Sequence, residues 1–222
     1  MKKLLILITA SLFTLYACES DNEANPTVNG ESQVVSVQYP TITLNGDAIV
    51  STSVGTGTYT DPGATAFDSI TGTSTTLTPV SNNVDLTAEG FYSVKYSFKN
   101  AYGYASSATR LVLVTSADPN IDISGVYART SNGCQVNVTK RGTGLYTTDN
   151  VGGVPNNPPF IFDVYFGFVN NTTIEVPTQP SALGGDIYCD NTVFVMDATD
   201  TSFAWIVRGS GFGTALRTFA HE

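Results

Sequence analysis

The sequence is poor in the side chains that most enzymes depend on. Its 222 residues include one histidine, three cysteines, one tryptophan and two methionines. The histidine, His221, stands next to the C-terminus, so a Ser-His-Asp or Cys-His arrangement would have to use a position prone to fraying. A zinc site needs more His and Cys than are present, and no metal or cofactor is expected. Charged residues make up 13% of the chain, against roughly 25% in a typical protein. Such sparse charge excludes a coiled coil and a charge-driven disordered chain. Lys and Arg number ten against nineteen Asp and Glu, a net charge of −9. A phosphate backbone is held by clustered basic residues, so no nucleic-acid partner is expected. There is no GxxxxGK[ST] phosphate loop. The run Gly209-Ser210-Gly211-Phe212-Gly213 follows no strand-to-helix pattern and reads as a turn.

What the chain has in quantity is threonine, 31 residues, together with 20 glycines and 10 prolines spread along its length. Thr, Val and Tyr favour strands, while Gly, Pro and Asn mark turns. Helix signals are nearly absent after Cys18. The expectation is an all-β protein: an Ig-like β-sandwich followed by a second antiparallel β unit, a small barrel or sandwich.

The first residues carry an address. Lys2 and Lys3 precede a fourteen-residue apolar run, Leu4 to Ala17. A membrane-spanning helix needs about 20 such residues, whereas a short apolar core behind a basic start is the pattern of a secretory signal. The run ends Leu15-Tyr16-Ala17-Cys18, which resembles a bacterial lipobox. The resemblance implies cleavage before Cys18 and acylation of its thiol, with Tyr16 bulkier than the residue usual at that place. The expected division is a signal over residues 1–17, a flexible acidic tether over 18–33, the Ig-like unit over 34–116 and the barrel-like unit over 117–222. One acyl chain anchors only marginally, so two or three on Cys18 would be needed to hold an acidic body permanently at a membrane. The acidic Glu19 to Thr27 reads as a solvated spacer, and it also resembles the surface-export signal of Bacteroidetes lipoproteins. Surface display and a periplasm-facing position both remain open.

In the middle segment Tyr92, Val94, Tyr96 and Phe98 alternate with Ser93, Lys95 and Ser97, the pattern of a half-buried strand. Val34 to Tyr39 alternates too, and Thr109 to Thr115 reads as a further strand. Asn45-Gly46 suits a type I′ hairpin turn. Pro40 to Asp47 (PTITLNGD), Tyr59 to Asp68 (YTDPGATAFD), Gly90 to Tyr96 (GFYSVKY) and Arg110 to Val114 (RLVLV) occur in that order. Together they resemble the bacterial Ig-like domain first named from pesticidal crystal proteins, over roughly Val34 to Ser116. The resemblance implies a spacer or adhesive module without a catalytic centre. Asp61 and Asp68 invite a calcium reading, but a calcium site takes six to eight oxygens, and a Pro-Gly turn with Asx-type hydrogen bonds is favoured. Asp68-Ser69-Ile70 also resembles the short O-glycosylation sequon of Bacteroidetes, which makes Ser69 a candidate acceptor.

Ser116 to Asn120 reads as a boundary. Beyond it, strands are expected over Val126 to Thr130, Gln135 to Lys140, Gly144 to Thr148, Phe160 to Val169, Thr173 to Val176, Val193 to Met196 and Ser202 to Arg208, with a Gly-bearing hairpin turn at Arg141 to Gly144. The aromatic run from Phe160 to Phe168 suits a strand covered on both faces or one lining a barrel. Ile123 to Arg129, Val136 to Lys140 and Gly144 to Gly153 are similar to the C-terminal domain of two-domain Bacteroidetes lipoproteins. That family has no settled activity, and many members accompany outer-membrane glycan-uptake machinery.

With Cys18 acylated, Cys134 and Cys189 remain as a candidate disulfide in an oxidising compartment, the alternative being two buried thiols. Asp149, Asp163, Glu175, Asp186, Asp190 and Asp197 offer the only enzymatic route, a glycosidase, which needs two carboxylates about 5–9.5 Å apart. Most Asp residues on β proteins instead form turns, so no catalysis is expected. Sugar rings stack on aromatic faces while polar neighbours fix their hydroxyls. Trp205, Tyr146, Tyr165 and Tyr188 are therefore candidate ligand-binding residues. Trp205 alternates in phase with Phe203 and Val207, which also fits a core position. The expected role is an outer-membrane, lipid-anchored surface accessory protein that binds a glycan or an outer-membrane partner protein in polysaccharide utilisation. The alternatives are a periplasm-facing structural lipoprotein and the carboxylate glycosidase. Replacing Cys18→Ser is expected to move the protein from the envelope to the soluble fraction, as read by fractionation and intact mass; envelope retention of the variant contradicts the acyl anchor.

Overall fold

The computed structural model describes residues 37–55, 59–197, 200–209 and 211–222. Cys18, the signal and the tether lie outside them. The chain divides into Met1–Val37 and Gln38–Glu222, and every element below belongs to the second unit. It is all-β, with one short 3₁₀ turn at Pro158–Phe160 among the described residues.

The first seven strands are β1 (Thr41–Leu44), β2 (Ile49–Ser53), β3 (Ala64–Asp68), β4 (Thr73–Leu77), β5 (Ser81–Asn82), β6 (Gly90–Lys99) and β7 (Ala105–Thr115). They form two sheets, ordered β1-β3-β4 and β2-β7-β6-β5. The β6–β7 hairpin is antiparallel throughout, while β2 runs parallel to β7. The alternation read along β6 puts Val94 and Tyr96 fully inside, where Ala64, Val112 and Val114 meet them. Residues 37–40 are not strand, and the rest of the strand expected at Val34 falls outside the described residues. Asn45-Gly46 makes no hairpin, because β1 and β2 lie in different sheets. It carries the chain from one sheet to the other, with Gly46 at φ 78°.

That crossing is held by a buried ion pair. Arg110, fully buried on β7, donates Nη1 to Asp61 Oδ2 at 2.6 Å, Nε to Asp47 O at 2.9 Å and Nη2 to Asn45 O at 2.6 Å. Asp61 also accepts from Tyr59 Oη at 2.7 Å, from the Gly63 amide at 2.7 Å and from Tyr96 Oη. Its oxygens are thus committed to the protein, which removes the calcium reading. Asp68 is likewise occupied, accepting from the Ile70 amide and Thr71 Oγ1 within its own turn.

The remaining strands are β8 (Gly125–Arg129), β9 (Gln135–Gly142), β10 (Leu145–Thr148), β11 (Val164–Phe168), β12 (Ile174–Glu175), β13 (Gln179–Pro180), β14 (Asp186–Met196), β15 (Thr201–Arg208) and β16 (Leu216–His221). They make one antiparallel sheet, β12-β11-β10-β9-β8-β16-β15-β14-β13. The sheet curls until the Cys189 amide of β14 donates to Val176 O, just past β12, at 3.5 Å. Its concave side is filled. Trp205, Tyr127, Tyr146, Phe166, Phe168, Phe203 and Phe219 are all fully buried there. Phe203 packs on Trp205, Tyr127 and Phe219 at ring separations of 4.5, 4.9 and 5.0 Å. A barrel of about eight strands is just wide enough for side chains to fill it, and these rings do so.

The two modules are locked together. Leu113, on the outer face of β7, forms an apolar cluster with Leu145 and Val169, joined by Ile49, Phe91 and Tyr165. Leu113 lies so close to β11 that a Cβ on Gly167 would stand 2.6 Å from its Cδ2 and 3.0 Å from Gly144 O. Thr115 Oγ1 donates to Phe168 O at 2.6 Å, the Ser116 amide to Val169 O at 3.1 Å, and the Asp118 amide to Asn171 Oδ1 at 2.7 Å.

Burial raises the Asp61 pKa, but Arg110, Tyr96, Tyr59 and the Gly63 amide outweigh it and hold the carboxyl at about 2. Because the folded value lies below the ordinary one near 3.8, its stabilising contribution of about 2 kcal/mol is full above the unfolded pKa and lost as pH falls through about 2. Asp61→Ala leaves Arg110 buried without a counter-charge and is expected to cost about 3–5 kcal/mol. Urea denaturation at pH 7 should show that loss, with the acid sensitivity between about pH 4 and 2 reduced in the variant; an unchanged midpoint contradicts the role given to the pair.

Candidate functional site

The filled barrel settles two of the candidate aromatics. Trp205 is fully buried and its Nε1 donates to Val151 O at 2.8 Å. Tyr146 is fully buried and its hydroxyl donates to Ile121 O at 2.7 Å. Both are core residues, as their phase in β15 and β10 requires, and neither can meet a ligand. Burial holds the Tyr146 hydroxyl neutral, its pKa pushed up to about 12.

Tyr165 and Tyr188 are placed differently. They face a cleft of about 1010 Å³ where the outer face of the β2-β7-β6-β5 sheet stands opposite β11 to β14. One wall consists of Ile49, Asn83, Phe91, Tyr92, Ser93, Lys95, Thr109 and Leu111. The other carries Asp163, Tyr165, Glu175, Thr178, Asp186, Tyr188 and Thr192. Alternation produces the first wall. In β6 the residues between Tyr92, Val94 and Tyr96 point away from the sandwich core, and in β7 Thr109 and Leu111 do the same. Alternation in β11 produces part of the second, with Val164, Phe166 and Phe168 inside the barrel and Tyr165 outside.

Several lining groups are already committed. Tyr92 Oη donates to Ala88 O at 2.9 Å. Gln179 is buried and bonds both the amide and the carbonyl of Tyr165 at 2.8 Å, fixing that tyrosine's backbone. The hydroxyls of Tyr165 and Tyr188 have no protein partner among the described residues, and Tyr188 is 41% exposed.

Of the six carboxylates considered for catalysis, three are structural. Asp149 accepts from the Asn137 amide and side chain, Asp190 pairs with Arg208 at 2.6 Å, and Asp197 accepts from the Asp200 amide. Asp163, Glu175 and Asp186 line the cleft and are exposed. Asp163 pairs with Arg141 at 3.5 Å. The neighbouring wall raises the Glu175 pKa by desolvation, opposed by the Phe91 backbone. Among the described residues no three of His, Cys, Asp and Glu gather closely enough to hold a metal ion.

The disulfide expected between Cys134 and Cys189 is absent; both are free thiols. Cys134 precedes β9 and Cys189 sits on β14, with β8, β16 and β15 between them in the sheet and the aromatic core filling the space across it. A disulfide spans only about 4.4–6.8 Å between Cα atoms. Burial pushes both thiols up from their ordinary pKa, which makes them poor nucleophiles. Ser69 stands on the exposed β3–β4 turn, its Oγ donating to Gln38 Oε1 at 2.7 Å.

Residues 42–114 match the family model described as bacterial surface protein, Ig-like domain. The sandwich is a bacterial surface-protein Ig-like domain. A second β domain follows it. The matched range contains Asn45, Asp47, Tyr59, Asp61, Gly63, Tyr96 and Arg110, the residues of the Arg110–Asp61 network. A crystal structure of a lipoprotein from Bacteroides thetaiotaomicron aligns at 19% identity and a TM-score of 0.38, covering 83% of this chain and 100% of that one. No curated protein matches the chain. An Ig-like domain of this kind fits a protein of the cell envelope.

Proposed function

We propose that the protein is a non-catalytic surface lipoprotein, anchored at the outer membrane through acylated Cys18, that binds a glycan in the cleft between its Ig-like domain and its second β domain. The observation that carries the reading is the cleft. It is concave, of ligand size, and built from both domains, with Phe91, Tyr165 and Tyr188 beside carboxylates and hydroxyls. Sugars offer apolar C–H faces and hydroxyl edges, and a wall of aromatic rings among polar groups meets both. Buried aromatic rings fill the barrel, which acts as a rigid support for one wall.

Catalysis is no part of this reading, although desolvation raises the Glu175 pKa. Asp163, Glu175 and Asp186 are solvent-exposed, and one of them is tied to Arg141. A glycosidase instead pairs a protonated buried acid with an ionised partner. Affinity gel electrophoresis of the mature chain, carrying Cys18→Ser for solubility, tests the binding half across a panel of polysaccharides. Retardation by at least one polysaccharide is expected, weakened about tenfold by Tyr188→Ala with an unchanged circular dichroism spectrum. Failure across the whole panel would replace the glycan with a protein partner.

A further inference from the structure

The lining of the cleft is net acidic. Three carboxylates line the wall formed by the second domain: Asp163, which Arg141 offsets at 3.5 Å, and Glu175 and Asp186, while Lys95 on the opposite wall is the one basic residue among the lining groups. The chain as a whole carries −9. A concave site with low-dielectric walls concentrates the field of its charges, so an approaching polyanion meets repulsion both at long range and at contact. Carboxylates that are not repelled by their ligand act as hydrogen-bond acceptors, and sugar hydroxyls and amino groups are donors of that kind.

The size of the cleft adds a second constraint. At about 1010 Å³ it lies at the upper end of the range of roughly 300–1,000 Å³ that holds whole drug-sized ligands, well beyond the needs of one sugar ring. The two aromatic residues with free hydroxyls, Tyr165 on β11 and Tyr188 on β14, stand on different strands of that wall. A ligand that uses both touches two strands of that wall.

Resting on the binding role given above, we infer that the occupant is a stretch of non-anionic glycan longer than one sugar ring, and that uronate-rich and sulfated chains are rejected. Asp186 and Glu175 accept hydrogen bonds from its hydroxyl or amino groups, and Tyr165 and Tyr188 cover its ring faces. Selection arises from charge repulsion more than from shape, so it weakens as salt shortens the reach of the field, to about 3 Å at 1 M.

Isothermal titration of the full mature chain, as Cys18→Ser, decides the matter with four probes: a neutral oligosaccharide from the polysaccharide that retards it best, a uronate-rich oligosaccharide, a sulfated one, and the neutral monosaccharide. The neutral oligosaccharide is expected to bind, with the two anionic ones at least about tenfold weaker at low salt. The monosaccharide should fail to compete. The double variant Glu175→Gln, Asp186→Asn should gain measurable affinity for the uronate-rich probe, which a merely structural role for these side chains would not produce. Equal or tighter binding of either anionic probe overturns the charge selection while leaving the binding role intact. Competition by the monosaccharide at the oligosaccharide's own concentration overturns the occupant longer than one ring and likewise leaves that role standing. No heat with any polysaccharide-derived probe overturns the binding role and this inference together.

Discussion

The contact between Leu113 and Gly167 fixes the two walls of the cleft against each other. Leu113 projects from the Ig-like domain into a gap that exists because residue 167 has no side chain. Leu145, Val169, Ile49, Phe91 and Tyr165 then close around it. Hydrogen bonds from Thr115, Ser116 and Asp118 to Phe168, Val169 and Asn171 follow the chain straight out of β7. The cleft lies beside this joint and takes a wall from each domain. If the joint were loose, Tyr165 and Tyr188 would face solvent, and Phe91 and Lys95 would belong to an unrelated surface.

Within the Ig-like domain the equivalent role falls to Arg110 and Asp61. Removing two charges from water is costly, and the cost is met only when every donor and acceptor is satisfied. Here the guanidinium reaches Asp61 and the carbonyls of Asn45 and Asp47, while the carboxylate gathers Tyr59, Tyr96 and the Gly63 amide. This explains why the PTITLNGD, YTDPGATAFD, GFYSVKY and RLVLV segments form one recognisable set. They are separated in sequence and converge on a single network, so the resemblance has a physical basis.

Much of the fold was legible in the sequence because alternation reports a half-covered strand directly. Tyr92 to Phe98 in β6 is of that kind, and in β15 the shared phase of Trp205 with Phe203 and Val207 fitted its buried state. The joint left a signal as well. Leu111 to Val114 is an unbroken apolar run, and so is much of Val164 to Val169, as expected of strands covered on both faces. What covers them was not readable. The Asn45-Gly46 hairpin failed because Arg110, 65 residues away from Asn45, draws that corner across to the other sheet. β16 was missed because Arg217 occupies an interior position, its guanidinium bonded to Phe212 O and Ala215 O, and breaks the apolar pattern. The first half of β14 was hidden by an irregularity between Asp190 and Val193, with Asn191 at φ 51°. The cleft itself has no local signature, since its walls are brought together only by the joint.

One measurement addresses the joint directly. ¹⁵N relaxation of the soluble mature chain gives the overall tumbling time for amides in Thr41–Leu44 to Ala105–Thr115 and separately for those in Gly125–Arg129 to Leu216–His221. A single correlation time shared by both sets, appropriate to one body, is the predicted result. Two shorter and different times, as for domains on a flexible linker, would contradict the account and dissolve the cleft on which the proposed function stands.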